Sequence, residues 1–148
     1  MAVTPVKDIM VRDVEVVSPD TTLHDAAMIM RDADTGFLPV GEGDRLIGTL
    51  TDRDIVIRAV AEGRDCSSAT VREAMTDEVA YCFEDDAVNE AVALMGELQV
   101  RRLPVLSRDK RLIGIISLGD VATDPGHDEM VGQAIEEISQ RSSGTNNI

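Results

Sequence analysis

The sequence predicts an α/β (α+β) fold: two copies of a β-α-β-β-α unit, related by a pseudo-twofold axis and followed by a C-terminal helix. Two observations predict it: residues recur at one fixed spacing along the 148-residue chain, and each copy alternates strand-like and helix-like apolar patterns. The matched pairs are Val6 and Val71, Met10 and Met75, Ala26 and Ala91, Met30 and Met95, Leu38 and Leu103, Pro39 and Pro104, and Val40 and Val105. After one inserted residue, the pairs are Leu46 and Leu112, Ile47 and Ile113, Gly48 and Gly114, and Asp54 and Asp120.

Each copy begins with a β-branched run, at residues 14–17 and 79–82, that predicts a short strand. A helix follows, because apolar residues recur on one helical face: Leu23, Ala26, Ala27 and Met30 in the first copy, and Val88, Ala91, Val92 and Met95 in the second. The candidate N-cap residues are Asp20, Thr21 and Thr22 for the first helix and Asp86 for the second.

A hairpin and a second helix complete each copy. Residues 38–40 and 46–50 predict the first hairpin, and residues 103–106 and 112–116 predict the second. The second helix of the first copy is predicted over residues 52–62, with Gly63 as its C-cap. The predicted boundaries are residues 6–63 for the first copy, 64–70 for a linker, 71–123 for the second copy, 125–141 for the C-terminal helix and 142–148 for a disordered tail.

Composition limits the functional classes. The formal net charge of −14 argues against nucleic acid and against an anionic membrane surface as partners. Aromatic residues make up 2% of the chain, so stacking platforms for single-stranded nucleic acid are missing as well. No apolar run approaches the roughly 20 residues of a membrane span, and the start lacks the apolar core of a signal peptide. The cytoplasm is therefore the predicted compartment, and the two cysteines are expected to be reduced.

The strongest local signal lies at the two strand-to-helix junctions. Each has a hydroxyl residue, two variable residues and an aspartate: Thr51 with Asp54, and Ser117 with Asp120. This spacing is typical of a capping box, which stabilises a helix start without any ligand. It also suits a nucleotide, because a helix N-terminus attracts phosphate and a carboxylate accepts hydrogen bonds from vicinal ribose hydroxyls. The two interpretations are compatible in one motif.

Together, the two copies resemble cystathionine β-synthase (CBS) domains, and the pair resembles a Bateman module. The resemblance covers roughly residues 6–123 and is carried by three motifs in each copy. They are residues 6–10 (VKDIM), 36–40 (GFLPV) and 46–54 (LIGTLTDRD) in the first copy, and 71–76 (VREAMT), 100–105 (VRRLPV) and 112–120 (LIGIISLGD) in the second. The stretch 51–63 is similar to small stand-alone bacterial CBS-pair proteins.

The resemblance implies two clefts between the copies, each able to hold an adenosine-containing ligand. The aspartate of one copy would bind the ribose, while the first strand of the other copy and its segment before Leu-Pro-Val would hold the adenine. One predicted cleft combines Thr51, Arg53 and Asp54 with Ala80, Tyr81, Cys82, Arg101 and Arg102. The other combines Ser117 and Asp120 with Val16, Val17, Thr35, Gly36 and Phe37.

The two predicted clefts differ in charge. Arg53, Arg101 and Arg102 belong to the Asp54 cleft, whereas glycines occupy the positions equivalent to Arg53 and Arg101 in the other. Because guanidinium groups suit phosphate oxygens, the Asp54 cleft is predicted to prefer the more highly phosphorylated ligand, or to be the only one occupied. Surface or interface salt bridges are the alternative role for Arg101 and Arg102.

The predicted function is that of a non-catalytic sensor that binds an adenosine nucleotide, such as AMP, ADP or ATP, and signals by conformational change. No cofactor is required, although Mg²⁺ can accompany the nucleotide, and no metal site is predicted. The expected partners are a second copy of the chain in a homodimer and an effector protein that the sequence does not identify. The alternative is a structural homodimerisation or protein-interaction module without a nucleotide. No nucleophile–base pair or metal triad suggests an enzyme.

Overall fold

The computed structural model describes residues 4–124 and 127–145. The chain divides into two compact units, one formed by Glu15–Val79 and the other by the segment up to Val14 together with the chain from Ala80 onward. Each unit has its own small sheet and its own apolar core. The helices, the two sheets and a C-terminal helix confirm the predicted mixed α+β class.

The unit Glu15–Val79 is built around an antiparallel hairpin. Its elements are α1 (Leu23–Ala33), β1 (Phe37–Glu42), β2 (Arg45–Thr51), α2 (Asp52–Ile55), a π-helical continuation of α2 (Val56–Val60) and α3 (Val71–Ala74). Thr22 caps α1, since its side chain accepts a hydrogen bond from the Asp25 N–H (3.2 Å). Gly63 follows the π-helical turn with φ of 70°, the left-handed conformation that its predicted capping role requires.

The other unit adds a parallel strand to the same hairpin. A 3₁₀ turn (Val6–Asp8) precedes β3 (Cys82–Phe83), α4 (Val88–Leu98), β4 (Arg102–Leu106), β5 (Leu112–Ser117), α5 (Leu118–Ala122) and α6 (Asp128–Thr145). Strand β3 pairs in parallel with β4, which pairs antiparallel with β5. Helix α6 packs against α4, where the Gln99 side chain donates a hydrogen bond to the Glu137 carbonyl (3.0 Å).

The leading segment of each sequence copy packs on the body of the other copy. Val11 and Ile115 exchange two backbone hydrogen bonds (2.8 and 3.0 Å), and Thr49 and Thr76 exchange two of 2.9 Å. The 3₁₀ turn therefore belongs to the unit of β3–β5, whereas α3 belongs to the unit of β1 and β2. The repeated apolar residues at the start of each leading segment, Val6 and Val71, are fully buried in these positions.

This docking explains the repeated glycine in β2 and β5. A Cβ atom at Gly48 would lie 2.8 Å from the Met75 Sδ and 2.9 Å from the Thr76 carbonyl oxygen. A Cβ atom at Gly114 would lie 2.7 Å from the Val11 carbonyl oxygen. Only glycine lets the leading segment approach the strand this closely. Gly48 contacts Met75, and Gly114 contacts Met10. The glycine and the methionine therefore recur together in the two copies.

The predicted first strands are much shorter than expected, and the prolines of Leu-Pro-Val explain why. Residues 14–17 supply only a bridge between Val17 and Val40, and residues 79–82 contribute only the first residue of β3. The Val17 N–H donates to the Pro39 carbonyl (3.1 Å) and the Gly41 N–H donates to the Val17 carbonyl (2.9 Å). Extension of a parallel ladder toward Glu15 would need an N–H from Pro39, which proline lacks. Pro104 imposes the same limit on β3.

Two local expectations are wrong. Asp86 does not cap α4: the N-cap is Ala87, and the Asp86 carboxylate instead accepts a hydrogen bond from the Phe83 N–H (2.8 Å). The disordered tail was expected from residue 142, but α6 extends to Thr145. Low hydropathy predicted the tail, whereas an established helix propagates through polar residues at little cost per residue. Residues 146–148, and 125 and 126 at the predicted helix start, lie outside the described residues.

Residues 64–70, predicted as a linker, contact the start of α1. The Ala69 carbonyl accepts a hydrogen bond from the Leu23 N–H (2.9 Å), and the Cys66 carbonyl accepts one from the His24 N–H (3.0 Å). These N–H groups lie in the first turn of α1, where no intrahelical acceptor is available. Residues 64–70 therefore provide the acceptors that the N-terminus of α1 needs.

We expect Gly114→Ala to lower the free energy of unfolding by about 1–3 kcal/mol, because the added methyl group must displace backbone. Gly132→Ala is the control: Gly132 lies in α6 with no atom near its Cβ position, so alanine should stabilise by about 0.5–1 kcal/mol. Urea unfolding followed by circular dichroism measures both values. Equal stability of the wild-type protein and Gly114→Ala would contradict the docking argument.

Candidate functional site

The junction between β2 and α2 forms a complete capping box. The Thr51 hydroxyl accepts the Asp54 N–H (3.0 Å), and Oδ2 of Asp54 accepts the Thr51 N–H (2.9 Å). The other carboxylate oxygen, Oδ1, accepts no hydrogen bond from the described residues, and its nearest cation is Arg58 Nη1 at 3.9 Å. The Asp54 side chain is only 16% exposed, so one carboxylate oxygen holds the helix start while the other remains available.

The junction between β5 and α5 repeats this geometry. The Ser117 hydroxyl accepts the Asp120 N–H (3.1 Å), and Oδ2 of Asp120 accepts the Ser117 N–H (3.2 Å). Within the described part of the chain, Oδ1 of Asp120 also accepts no hydrogen bond. The capping-box interpretation of both motifs is therefore correct. It leaves one oxygen of each aspartate for a ligand.

Each unit places its strand-to-helix junction beside the segment that precedes its own Leu-Pro-Val. Phe37 pairs with Thr51, and the Asp52 N–H donates to the Gly36 carbonyl (3.0 Å). In the other unit, Arg102 pairs with Ser117, and the Leu118 N–H donates to the Arg101 carbonyl (3.0 Å). The predicted clefts combine residues of different units, namely Thr51, Arg53 and Asp54 with Ala80, Tyr81, Cys82, Arg101 and Arg102, and Ser117 and Asp120 with Val16, Val17, Thr35, Gly36 and Phe37. Those combinations stay predictions.

Gly36 also has a local reason to be glycine. A Cβ atom there would lie 2.7 Å from the nearer carboxylate oxygen of Asp52. Beside it lies an open pocket of ≈ 460 Å³ within this unit. Apolar side chains of α1 and α2 form part of its wall, and the polar part of its lining includes Asp34, Thr35 and Asp52. This pocket places an apolar surface next to the predicted site segment.

The β-branched segments differ in how far their side chains are exposed. Val17 and Cys82 are buried in the cores of their units, whereas Val16 is 41% exposed. Tyr81 stacks edge-on against Phe83 at 5.6 Å between ring centroids, and the Arg108 guanidinium lies 4.3 Å over the Phe83 ring. Val16 is exposed, and Ala80 and Tyr81 are half-buried, so these three predicted site residues keep accessible surface.

The three predicted phosphate-binding arginines lie on the surface. Arg53, Arg101 and Arg102 are exposed, and none forms an ion pair with another described residue. The alternative role for Arg101 and Arg102 was in surface or interface salt bridges: no surface salt bridge is found among the described residues, and interface salt bridges stay a prediction. Exposed and unpaired guanidinium groups keep their hydrogen-bond donors for an anionic ligand.

The sequence analysis missed Arg58, the cation nearest to Asp54. Its Nη1 donates to the carbonyls of Ala74 (2.9 Å) and Met75 (3.0 Å) and to the Thr76 hydroxyl (3.2 Å). The available signal was the spacing of Asp54 and Arg58, since opposite charges four residues apart on a helix lie on one face. At the equivalent position the second copy has Asp124, which pairs with His127 (2.9 Å).

Comparison with known proteins decides the family. The family model described as CBS domain matches residues 6–60 and 71–124. The chain belongs to the CBS domain family. It is 39% identical to the CBS domain-containing protein YhcV of Bacillus subtilis over 136 residues, which are 92% of this chain and 96% of YhcV.

Two further similar proteins bear on the site. Hypoxic response protein 1 of Mycobacterium tuberculosis is 44% identical over 80% of this chain and 83% of its own length. A crystal structure of hypoxic response protein I with two coordinated zinc ions matches 80% of this chain and 97% of its own, with a TM-score of 0.73. The CBS domain pair of protein MJ0100, in complex with 5'-methylthioadenosine and S-adenosylmethionine, is 26% identical, covers 82% of this chain and 94% of its own, and has a TM-score of 0.72.

The two zinc ions of the hypoxic response protein I structure are a property of that protein. Among residues 4–124 and 127–145, no three His, Cys, Asp or Glu side chains converge so that they could hold a metal ion. No helix in the described ranges is long and apolar enough to cross a membrane.

The two cysteines should differ in reactivity. Burial, aided by the nearby Asp86 carboxylate, raises the pKa of the Cys82 thiol to about 12, whereas Cys66 is only half-buried. Because the thiolate is the reactive species, iodoacetamide at mildly alkaline pH should modify Cys66 in the folded protein and Cys82 only after unfolding. In the control variant Cys66→Ser, mass spectrometry should detect no rapid modification. Rapid labelling of Cys82 in that variant would contradict its burial.

Proposed function

We propose that this CBS pair is a non-catalytic regulatory module that binds an adenosine-containing ligand through the free oxygens of Asp54 and Asp120. Ligand binding changes the conformation of the chain, and an effector protein responds to that change. The predicted compartment remains the cytoplasm. A ligand shifts such an equilibrium only through its different affinities for the two conformations.

The observation that carries the proposal is the repeated capping box with one uncommitted carboxylate oxygen. A ribose presents two adjacent hydroxyl donors, and an ionised carboxylate is an acceptor-only group. The adenosine ligands of the MJ0100 pair support this chemistry, because both contain a ribose. The exposed guanidinium groups of Arg53, Arg101 and Arg102 favour a phosphorylated ligand, with Mg²⁺ as an accompanying ion.

The test is calorimetric titration with AMP, ADP, ATP and S-adenosylmethionine. Asp54→Asn and Asp120→Asn are suitable variants, because the amide oxygen still accepts the capping N–H while the negative charge is removed. Loss of a charge-assisted hydrogen bond should weaken binding on the order of ten- to a hundredfold. We expect Asp54→Asn to weaken ATP and ADP most. If Asp120→Asn removed ATP binding and Asp54→Asn did not, the predicted asymmetry would be wrong.

The second candidate function is a homodimerisation module without a nucleotide, and an exposed apolar surface favours it. Val56, Ile57 and Val60, on the π-helical turn, are 52%, 51% and 58% exposed. Three neighbouring aliphatic side chains in water favour burial against another surface. We propose that a second copy of the chain covers them. The same surface is compatible with a nucleotide-binding homodimer.

Replacement of both Ile57 and Val60 by lysine should therefore reduce the dimer fraction, because association would bury two charges. Analytical ultracentrifugation measures that fraction across protein concentrations. Ser67→Lys is the control, since Ser67 is exposed in the same unit and the change adds the same type of charge. A dimer of unchanged affinity in the double variant would exclude this surface. Dimers that bind none of the four titrated compounds would favour the purely structural function.

A further inference from the structure

The Arg58 side chain connects the Asp54 carboxylate, the proposed ligand-binding group, to a part of the same unit that is distant in sequence. Arg58 lies on the π-helical continuation of α2, and its Nη1 is 3.9 Å from Oδ1 of Asp54. The same nitrogen donates to the Ala74 and Met75 carbonyls and to the Thr76 hydroxyl, at 2.9, 3.0 and 3.2 Å. One guanidinium nitrogen thus faces both the site and the end of α3.

The acceptors that Arg58 contacts need a donor. Ala74 is the last residue of α3 and Met75 follows it, and the carbonyls at a helix C-terminus have no intrahelical N–H partner. A cation satisfies them and interacts favourably with the helix dipole. Thr76, next in the chain, forms the two-bond backbone bridge to Thr49 in β2. Arg58 therefore stabilises the docking of the segment that completes this unit.

Within residues 4–14, 80–124 and 127–145, the other unit has no counterpart of this arrangement. At the position equivalent to Arg58, the second copy has Asp124, whose carboxylate lies 2.9 Å from Nε2 of His127. A carboxylate cannot donate to helix-end carbonyls and cannot attract Asp120. The arrangement around Arg58 is therefore particular to the Asp54 side and adds a second charge difference between the two junctions.

We propose that Arg58 is a positioning residue that couples Asp54 to the segment 74–76. Arg58 orients the free oxygen of Asp54. A ligand that binds this oxygen therefore changes the hydrogen bonds of Arg58 to the C-terminal end of α3. Because coupling between two sites is reciprocal, firmer docking of α3 also changes ligand affinity at Asp54. The functional meaning of this coupling rests on the proposed nucleotide binding, but the coupling itself is a property of the ligand-free protein.

The test is a double-mutant cycle on the ligand-free protein with Asp54→Asn, Arg58→Gln and the double variant. The measured quantity is the hydrogen-exchange rate of the Met75 and Thr76 amides by NMR. We expect Asp54→Asn to accelerate this exchange about two- to fivefold, the range of a partly exposed ion pair. Arg58→Gln should accelerate it at least as much, and Asp54→Asn should have no further effect in the Arg58→Gln background.

Asp52→Asn is the matched control, because Asp52 lies on the same helix turn and its carboxylate bonds the Arg53 N–H (2.8 Å) rather than Arg58. It should leave both amides unchanged. An equal effect of Asp52→Asn, no effect of Asp54→Asn, or an effect of Asp54→Asn that persists in the Arg58→Gln background would each overturn the proposal. A purely structural role of Arg58 would not make the effect of Asp54→Asn depend on it.

A ligand experiment separates this inference from the proposed function. Saturating ATP should change the Thr76 exchange rate in the wild-type protein, and Arg58→Gln should abolish that change while ATP still binds. An unchanged ATP effect in Arg58→Gln would contradict the coupling. If calorimetry detects no ATP binding, the nucleotide proposal fails for this ligand, whereas the ligand-free cycle still decides the role of Arg58.

Discussion

The contact of each leading segment with a strand glycine is the interaction on which both units depend. Two backbone bridges, Thr49–Thr76 and Val11–Ile115, place a segment from elsewhere in the chain beside the hairpin. Buried apolar side chains of the same segments then complete each core. Because backbone hydrogen bonds require close approach, a side chain as small as a methyl group at Gly48 or Gly114 interferes. The repeated glycine of the Leu-Ile-Gly motif is therefore a packing requirement.

The hydroxyl–aspartate motif combines its structural role as a cap with the proposed site chemistry. One carboxylate oxygen accepts the backbone N–H of the capping residue, which fixes the side-chain rotamer and lowers the entropy that a ligand would have to remove. The second oxygen is already oriented at the helix start. The capping contact alone therefore preorganises both carboxylates, and on the Asp54 side Arg58 lies 3.9 Å from the second oxygen as well. The sequence left two roles open for each aspartate, a helix cap and a ligand-binding group. In the proposed site, Oδ2 has the first role and Oδ1 the second.

The sequence predicted the parts of the fold that follow from local pattern. The hairpins, α1, α4, α6 and the left-handed turn at Gly63 follow from apolar periodicity and turn chemistry. The short first strands were missed because Pro39 and Pro104 limit a ladder between segments distant in sequence. Asp86 was misplaced because an aspartate can satisfy a turn as well as a helix start. The capping boxes were predictable from spacing alone, whereas the contacts of Arg58 depend on where α3 docks, which no local pattern specifies.

The exchange of leading segments has a consequence for how such a chain can arise. With this connectivity, a protein that had only one copy would form a domain-swapped dimer, in which each molecule packs its leading segment on the other. Duplication within one gene places both segments on the same polypeptide, so the partner segment is present at a high effective concentration at any dilution. Once joined, the two copies can diverge in charge, as Arg58 and Asp124 have, while the leading segment of each still completes the apolar core of the other.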